Sequence, residues 1–472
     1  MRPVHALAAA LLVLACAAPA RAADTFSPGT LARARAARDA GMRDDVGYDA
    51  LRALCTEVGP RLAGSAGDGR AIAWGLETLK RLGFANVRAE SVTVPRWERG
   101  ECRVEITAPW PQPLVAVALG GSVATPEGGV EAEVVAAGSL EDLKALGEER
   151  VRGRIVFFRG RMERARTGAG YGAAVAVRGR GAAEAVKLGA VGVVIRSIGT
   201  DGNRDPHTGA MRYDSTGARI AALSLSAPDA DLLDRQIASG RPVRLRMRTT
   251  SRMTGEARSA NVIGEIPGRG PAPGIVVAGG HLDSWDLGQG AHDDGAGCAT
   301  MIAAAKLAAA QGPLRHTIRV VLFANEEFGL SGGRDYAQRH ADELDRHVVA
   351  MESDLGAFDV WGVQTGFGPG RESLVAPLLS VLAPICTEYA GNGTRGGADT
   401  GPLSARGVPA LGLATDAAPY FDLHHSANDT FDKVDPAMVR LNTACYVTLA
   451  YLAAEYAPGL GRAPRAAPAA GR

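Results

Sequence analysis

The sequence predicts an α/β fold: a mixed, largely parallel central sheet flanked by helices, with an inserted β/α domain. Three observations predict it. From Ser259 onward, short β-branched runs alternate with longer helical patterns, the rhythm of strand–helix–strand units on one sheet. Glycine supplies 60 residues and aromatics only 5%, a composition that lets helices lie close against a sheet. Between residues 116 and 252 a separate set of short β runs interrupts the pattern. The whole chain of 472 residues is too long for a single hydrophobic core.

Residues 1–22 read as a leader. Arg2 precedes an almost wholly apolar stretch over 6–18, and Ala20-Arg21-Ala22 offers a small-x-small cleavage site. The apolar run is too short for a comfortable membrane span. A second reading takes Cys16 as a lipidated residue, although Leu14 fits that pattern poorly. Either way the chain is expected to leave the cytoplasm, secreted or periplasmic. Residues 23–115 begin the main domain. Two helical patterns between 48 and 82 are joined by Gly59-Pro60-Arg61-Leu62-Ala63-Gly64, and 86–94 alternates like a strand. Residues 116–252 form the insert, with strands at 130–135, 154–158, 191–195 and 243–247 and a helix at 181–188. Residues 253–457 resume the main domain. Strands are expected there at 275–278, 317–324, 347–351 and 408–413, with helices at 296–310, 331–340, 371–382 and 436–455. The Pro-, Ala- and Gly-rich tail, 458–472, is expected to be disordered.

Formal charge is +1, and loss of Arg2 and Arg21 with the leader brings it to about −1. No basic face argues for nucleic acid as a partner. Behind the leader stand Cys55, Cys102, Cys298, Cys386 and Cys445. Five cannot all pair, and none has a CxxC or other ligand spacing. Cys298 and Cys445 lie in apolar helical stretches and read as core thiols.

In an open α/β sheet, sites gather beyond the carboxyl ends of the strands. Three expected strands end in metal-type side chains: His281-Leu282-Asp283-Ser284, Asn325-Glu326-Glu327 and Glu352-Ser353-Asp354. Asp293-Asp294-Gly295 opens the helix after the first, and a later loop carries His424-His425-Ser426. Imidazoles and carboxylates converging from several loops suit Zn²⁺.

The segments HLDSWDLGQGAHDDGAG, FANEEFG, MESDLG and HHSANDT resemble, in order and spacing, those of the di-zinc aminopeptidase family. DPHTGAMRY, 205–213, resembles a stretch from a member whose insert is a protease-associated domain. The resemblance covers nearly all of the chain behind the leader. It implies a zinc exopeptidase fold, a peptide substrate, a homodimer and two Zn²⁺ ions. By position it implies His281 and Asp354 on one zinc, Glu327 and His425 on the other, and Asp293 between them. Glu326 is implied as the general base, and Asp283 as the hydrogen-bond partner of the His281 imidazole. Elementary physics agrees with that division. Adjacent Glu326 and Glu327 point in different directions just past a strand. A bridging carboxylate must reach cations roughly 3.5–4 Å apart, and the positive end of a helix tolerates Asp293.

Relatives often carry Tyr just before the last ligand, where it assists the oxyanion. Here that place is His424, which is expected to donate a hydrogen bond instead, while the following Ser426 favours His425 as the ligand. His292 reads as a bystander. His207 either reaches the site from the insert or shapes its own loop. His316, His340 and His347 read as surface or strand-edge residues. Asp399 either shapes a pocket or caps a turn. Asn392 and Asn428 match glycosylation sequons, but the second lies inside the proposed metal loop and both are discounted. Three other functions compete: a broad aminopeptidase, a mono-zinc glutaminyl cyclase and a metal-free binding module. His281 and Asp354 together argue for the second metal, and so against the cyclase. The filled ligand set argues against the binding module.

Overall fold

The computed structural model describes residues 25–456 and 458–463. The leader expected at 1–22, with Cys16, lies outside the described residues, as do 464–472. Pairing among the described residues builds two eight-stranded sheets. In the first, the order is Ala85–Glu98, Arg252–Ile266, Thr317–Phe323, Ile275–His281, His347–Glu352, Ala410–Thr415, Val360–Gly366 and Glu388–Asn392. Its four central strands run parallel. Antiparallel partners flank them on both sides.

Side chains in the central strands alternate between two cores. Val276, Ala278, Ile318, Val320, Val349 and Met351 join the larger one. Ile275, Val277, Val321 and Ala350 join the smaller one. That period of two, apolar on both faces, marks strands covered on each side. Helices Ala296–Ala309 and Pro436–Glu455 cover the first face, and Pro28–Gly41 packs against Pro436–Glu455. Ser331–Arg339 and Gly401–Ala405 cover the other. Helix starts follow local chemistry: Ser27, Ser65 and Asp435 accept bonds from the backbone N–H groups of Thr30, Asp68 and Ala437.

The second sheet runs Gln112–Leu114, Cys102–Ala108, Arg244–Thr249, Val130–Ala137, Ile155–Phe158, Gly192–Arg196, Ala222–Leu225 and Ala116–Ala118. Helices Leu140–Val151, Ala169–Lys187 and Ala227–Ala238 lie in the same stretch of chain. Its strands begin at Cys102, ahead of the 116 expected for the insert, because Cys102–Ala108 pairs with Arg244–Thr249. The helix expected at 181–188 starts at Ala169, its first turns hidden in sequence by glycines.

Two expectations are corrected here. His316, His340 and His347 are buried, not at the surface. Neighbours satisfy their ring nitrogens: Gly274 N–H donates to His316, His340 sits between Glu90 and Glu343, and His347 lies between the Tyr336 hydroxyl and the Glu343 carbonyl. Satisfied polar groups can be buried at little cost. The tail expected to be disordered is laid onto the fold as far as Ala463, whose N–H donates to the Gly407 carbonyl. Leu460 is buried within the larger core. Cys55, Cys102, Cys298, Cys386 and Cys445 are all free thiols, Cys298 and Cys445 inside helices as expected.

Candidate metal centre

Backbone geometry places each candidate ligand. His281 is the last residue of a central strand. Glu326 and Glu327 follow Thr317–Phe323 after a turn at Asn325, whose φ of 57° is one that Asn tolerates better than most residues. Asp354 follows His347–Glu352. These side chains therefore leave the carboxyl ends of three adjacent parallel strands. Asp293 lies in the tight turn Ala291–Gly295, just before helix Ala296–Ala309 and not at its opening turn as the sequence suggested.

That turn is tied down from three directions. Asp294 accepts from the N–H groups of His281 and Gly297, each at 3.0 Å. The approach depends on Gly280, where a Cβ would stand 2.6 Å from Asp294 Oδ2 and 2.8 Å from the Cys298 backbone nitrogen. Asp429 accepts from the N–H groups of His292 at 2.7 Å and Asp293 at 3.1 Å. Buried Arg61 donates to the carbonyls of Leu282, Gln289 and Gly290.

The Asp293 carboxylate divides the cluster in two. Its Oδ1 is 3.1 Å from His281 Nε2, which is 3.3 Å from Asp354 Oδ1. Its Oδ2 is 3.3 Å from His425 Nε2, which is 2.9 Å from Glu327 Oε2. His281, Asp294 and Asp354 also converge, as do Asp293, His424 and His425. Both oxygens of Asp294 are already taken by backbone N–H groups, whereas Asp293 Oδ2 and Glu327 Oε1 are buried with no hydrogen-bond partner. Buried acceptors without donors are costly. A cation satisfies both, and the residues present fit a metal ion.

Asp283 differs from its expected part. Its side-chain oxygen is 3.7 Å from His281 Nδ1, while its backbone carbonyl accepts from that nitrogen at 2.9 Å. The carboxylate instead accepts from the Glu326 N–H at 3.0 Å, holding the chain where Glu326 begins. His424 stacks on His425 with ring centroids 3.5 Å apart, its Nε2 3.9 Å from Asp293 Oδ2. A cavity of about 510 Å³ opens on the cluster, bordered by Glu326, Asp354, His424, Tyr171, Arg178 and Tyr420.

Electrostatics follow burial and crowding. Burial, then neighbouring carboxylates, push Glu326 and Glu327 well above the usual carboxylate range. Burial pushes Asp293 upward too, but the His281 hydrogen bond and the nearby imidazoles turn its net shift downward. Burial drives His424 down to about 3, and burial with the His424 neighbour drives His425 well down, so both rings are neutral. Asp429 rises to about 7 through burial and the Asp293 charge.

Among residues without an expected role, Asp294 and Asp429 were visible inside the quoted motifs. Arg61, Arg178 and Tyr420 carry no motif, because only tertiary folding brings them here. Asp399 caps the first turn of Ser331–Arg339 by accepting from the Gly333 N–H. His292 stacks on Phe358, and burial pushes it down to about 4. His207 meets the His424 loop, with Nδ1 2.6 Å from the His424 carbonyl.

Residues 261–450 match the family described as Peptidase family M28. Carboxypeptidase Q from Bos taurus is 34% identical over 420 residues, 88% of this chain and 86% of the relative. The crystal structure of a Peptidase M28 precursor from Shewanella amazonensis SB2B has TM-score 0.90 at 41% identity, covering 92% of this chain and 99% of that one. BSAP, a zinc aminopeptidase from Bacillus subtilis, shares the fold at TM-score 0.62 and 19% identity, over 87% of this chain and 95% of that one. With similarity this extensive and a metal-type cluster at the strand ends, the chain belongs to peptidase family M28 and is a metallopeptidase of the exopeptidase kind.

Proposed function

We propose an exported exopeptidase with two Zn²⁺ ions that hydrolyses terminal peptide bonds of dipeptides or short peptides. The observation that carries this reading is the two-sided Asp293 carboxylate, one oxygen beside His281 and Asp354, the other beside His425 and Glu327. His281, Asp293 and Asp354 would hold one ion, and His425, Asp293 and Glu327 the other. When bound, the ions lower the pKa of a water to roughly 7 and polarise the scissile carbonyl.

Glu326 borders the cavity without belonging to either ligand group, so it is free to take the proton from the attacking water. It then returns that proton to the leaving amine. Asp283 fixes it through the backbone. Neutral His424 supplies one N–H donor towards the developing oxyanion. The Tyr420 hydroxyl is a second, since among the described residues no group bonds to it and it faces the same cavity. A homodimer, and cleavage of the leader behind Ala22, complete the proposal, and N-terminal sequencing of exported protein should begin at Ala23.

The test joins a metal count to a substrate panel of free dipeptides and amino-acid p-nitroanilides, with and without chelator. Two zinc ions per chain and chelator-sensitive dipeptide hydrolysis support the reading. One zinc per chain points to the cyclase arrangement, and release of any N-terminal residue from p-nitroanilides points to a broad aminopeptidase. Glu326→Gln should keep its zinc and lose about 10²–10⁴-fold in kcat. Unchanged turnover would remove Glu326 from the mechanism.

A further inference from the structure

The loop bearing His424 and His425 is held from outside the peptidase sheet. His425 has φ of 62°, a left-handed conformation that residues with a Cβ keep only where their surroundings impose it. The surroundings here come from the chain around the second sheet. The Thr208 N–H donates to the His425 carbonyl at 2.9 Å. His207 Nδ1 donates to the His424 carbonyl at 2.6 Å. The Asn428 N–H donates to Asp205 Oδ2 at 3.1 Å. The Thr208 carbonyl also lies 3.3 Å from His425 Nδ1, the side of the ring away from Glu327.

His207 is itself built in. Its side chain is 1% exposed, Asp201 Oδ1 stands 2.9 Å from Nε2, and its backbone N–H donates to Ser197 Oγ at 2.8 Å. Gly199 makes room for the ring, since a Cβ there would come within 2.4 Å of it. None of these residues lies in the 261–450 stretch that matches the family.

We propose that residues 205–208 are a clamp on the metal-binding loop, and that His207 is a positioning residue which sets metal affinity on the His425 and Glu327 side. The inference rests on the two-metal reading above. The clamp acts on the main chain at 424 and 425 and leaves the His281 and Asp354 side alone, because His281 ends one central strand and Asp354 stands two residues past the end of its neighbour.

The test strips metal from the full-length protein and titrates Zn²⁺ against a chromophoric chelator. The variants are His207→Ala, His207→Gln and His207→Asn. The Asn amide nitrogen stands near the place of Nδ1 and can still reach the His424 carbonyl, whereas Gln places its amide near Nε2. His207→Ala and His207→Gln should weaken one of the two sites by about 10–100-fold, the range for residues that orient a metal ligand. The other site should stay within about threefold, and His207→Asn should restore the weakened one to a similar margin. Should His207→Ala fail to fold, the Gln and Asn pair still decides. Equal affinities in all variants, equal weakening of both sites, or loss with Asn as large as with Gln overturns the clamp. A parent protein that binds a single zinc defeats the two-metal reading; the clamp then stands or falls on whether that single site weakens with Gln and recovers with Asn.

Discussion

At the scale of single residues, the centre pairs side chains that act with side chains that only hold backbone. Asp293 and Glu327 offer unpartnered oxygens, Asp294 and Asp429 spend both of theirs on N–H groups in and around the turn that carries Asp293, and Asp283 spends one on the Glu326 N–H. His424 and Tyr420 border the same space, their rings 5.1 Å apart. A donor aimed at an oxyanion is worth about 10²–10³ in kcat when it is the principal one. Two donors sharing the load should each matter less. His424→Ala and Tyr420→Phe are therefore expected to lower kcat by roughly tenfold apiece, with KM little changed, and the double variant to fall by about 10²–10³-fold. Steady-state kinetics on a dipeptide, with zinc content measured alongside, checks this. A double variant no slower than the singles would assign the task to one residue alone. The acting residues were legible in sequence because metal chemistry restricts them to a few side-chain types at strand ends. The holding task of Asp294 and Asp429 was not, although both stand inside those motifs, since a carboxylate that accepts from backbone looks the same in sequence as one in solvent.

At the scale of elements, close approach and polar satisfaction decide what the strands can carry. Gly280→Ala would push a methyl group towards Asp294 and the start of Ala296–Ala309. Overpacking of this kind costs about 1–3 kcal/mol. The variant should melt earlier and bind zinc more weakly, measured by calorimetry and chelator competition. Normal zinc affinity would show that the turn can shift without moving Asp293. On the far face, burial pushes His347 down to about 4, against the pull of the Glu343 carbonyl. Its folded pKa lies below the unfolded value, so the stability that the neutral ring contributes is present above about 6.5. It is lost as pH falls through that value towards 4 and amounts to about 3 kcal/mol by the bottom of the window. Urea midpoints of the parent should accordingly fall more steeply between pH 7 and 4.5 than those of His347→Gln. Parallel slopes would refute the assignment. The last two strands on one side of the sheet, Val360–Gly366 and Glu388–Asn392, were not legible, because their Gly, Gln and Tyr residues leave no regular alternation to read.

At the scale of the whole molecule, the cluster concentrates buried carboxylates that repel one another until cations arrive. Ligand linkage at a hundredfold excess over Kd contributes about 2.7 kcal/mol per site. In a chain of this size, at about 2.1 cal/mol/K of unfolding entropy per residue, each kcal/mol shifts Tm by about 1 °C. Chelation is expected to lower Tm by about 5 °C, with recovery on adding zinc. A melt indifferent to chelator would mean that the cluster does not bind metal tightly. The central parallel strands and their order of ligands could be read from periodicity. The grip of the second sheet's loops on the first sheet's site was open in sequence only as one of two readings of His207, since it depends on residues more than 200 positions apart.

The packing of Pro28–Gly41 against Pro436–Glu455 has a consequence for assembly in time. Among the described residues the first helix finds its partner in the last one, so its buried side stays uncovered while the intervening chain is being made. Long-range closure of this sort is slow to nucleate. A ribosome must release the carboxyl-terminal helix before the larger core can shut, and any truncation that removes it takes away the main surface against which the opening helix docks.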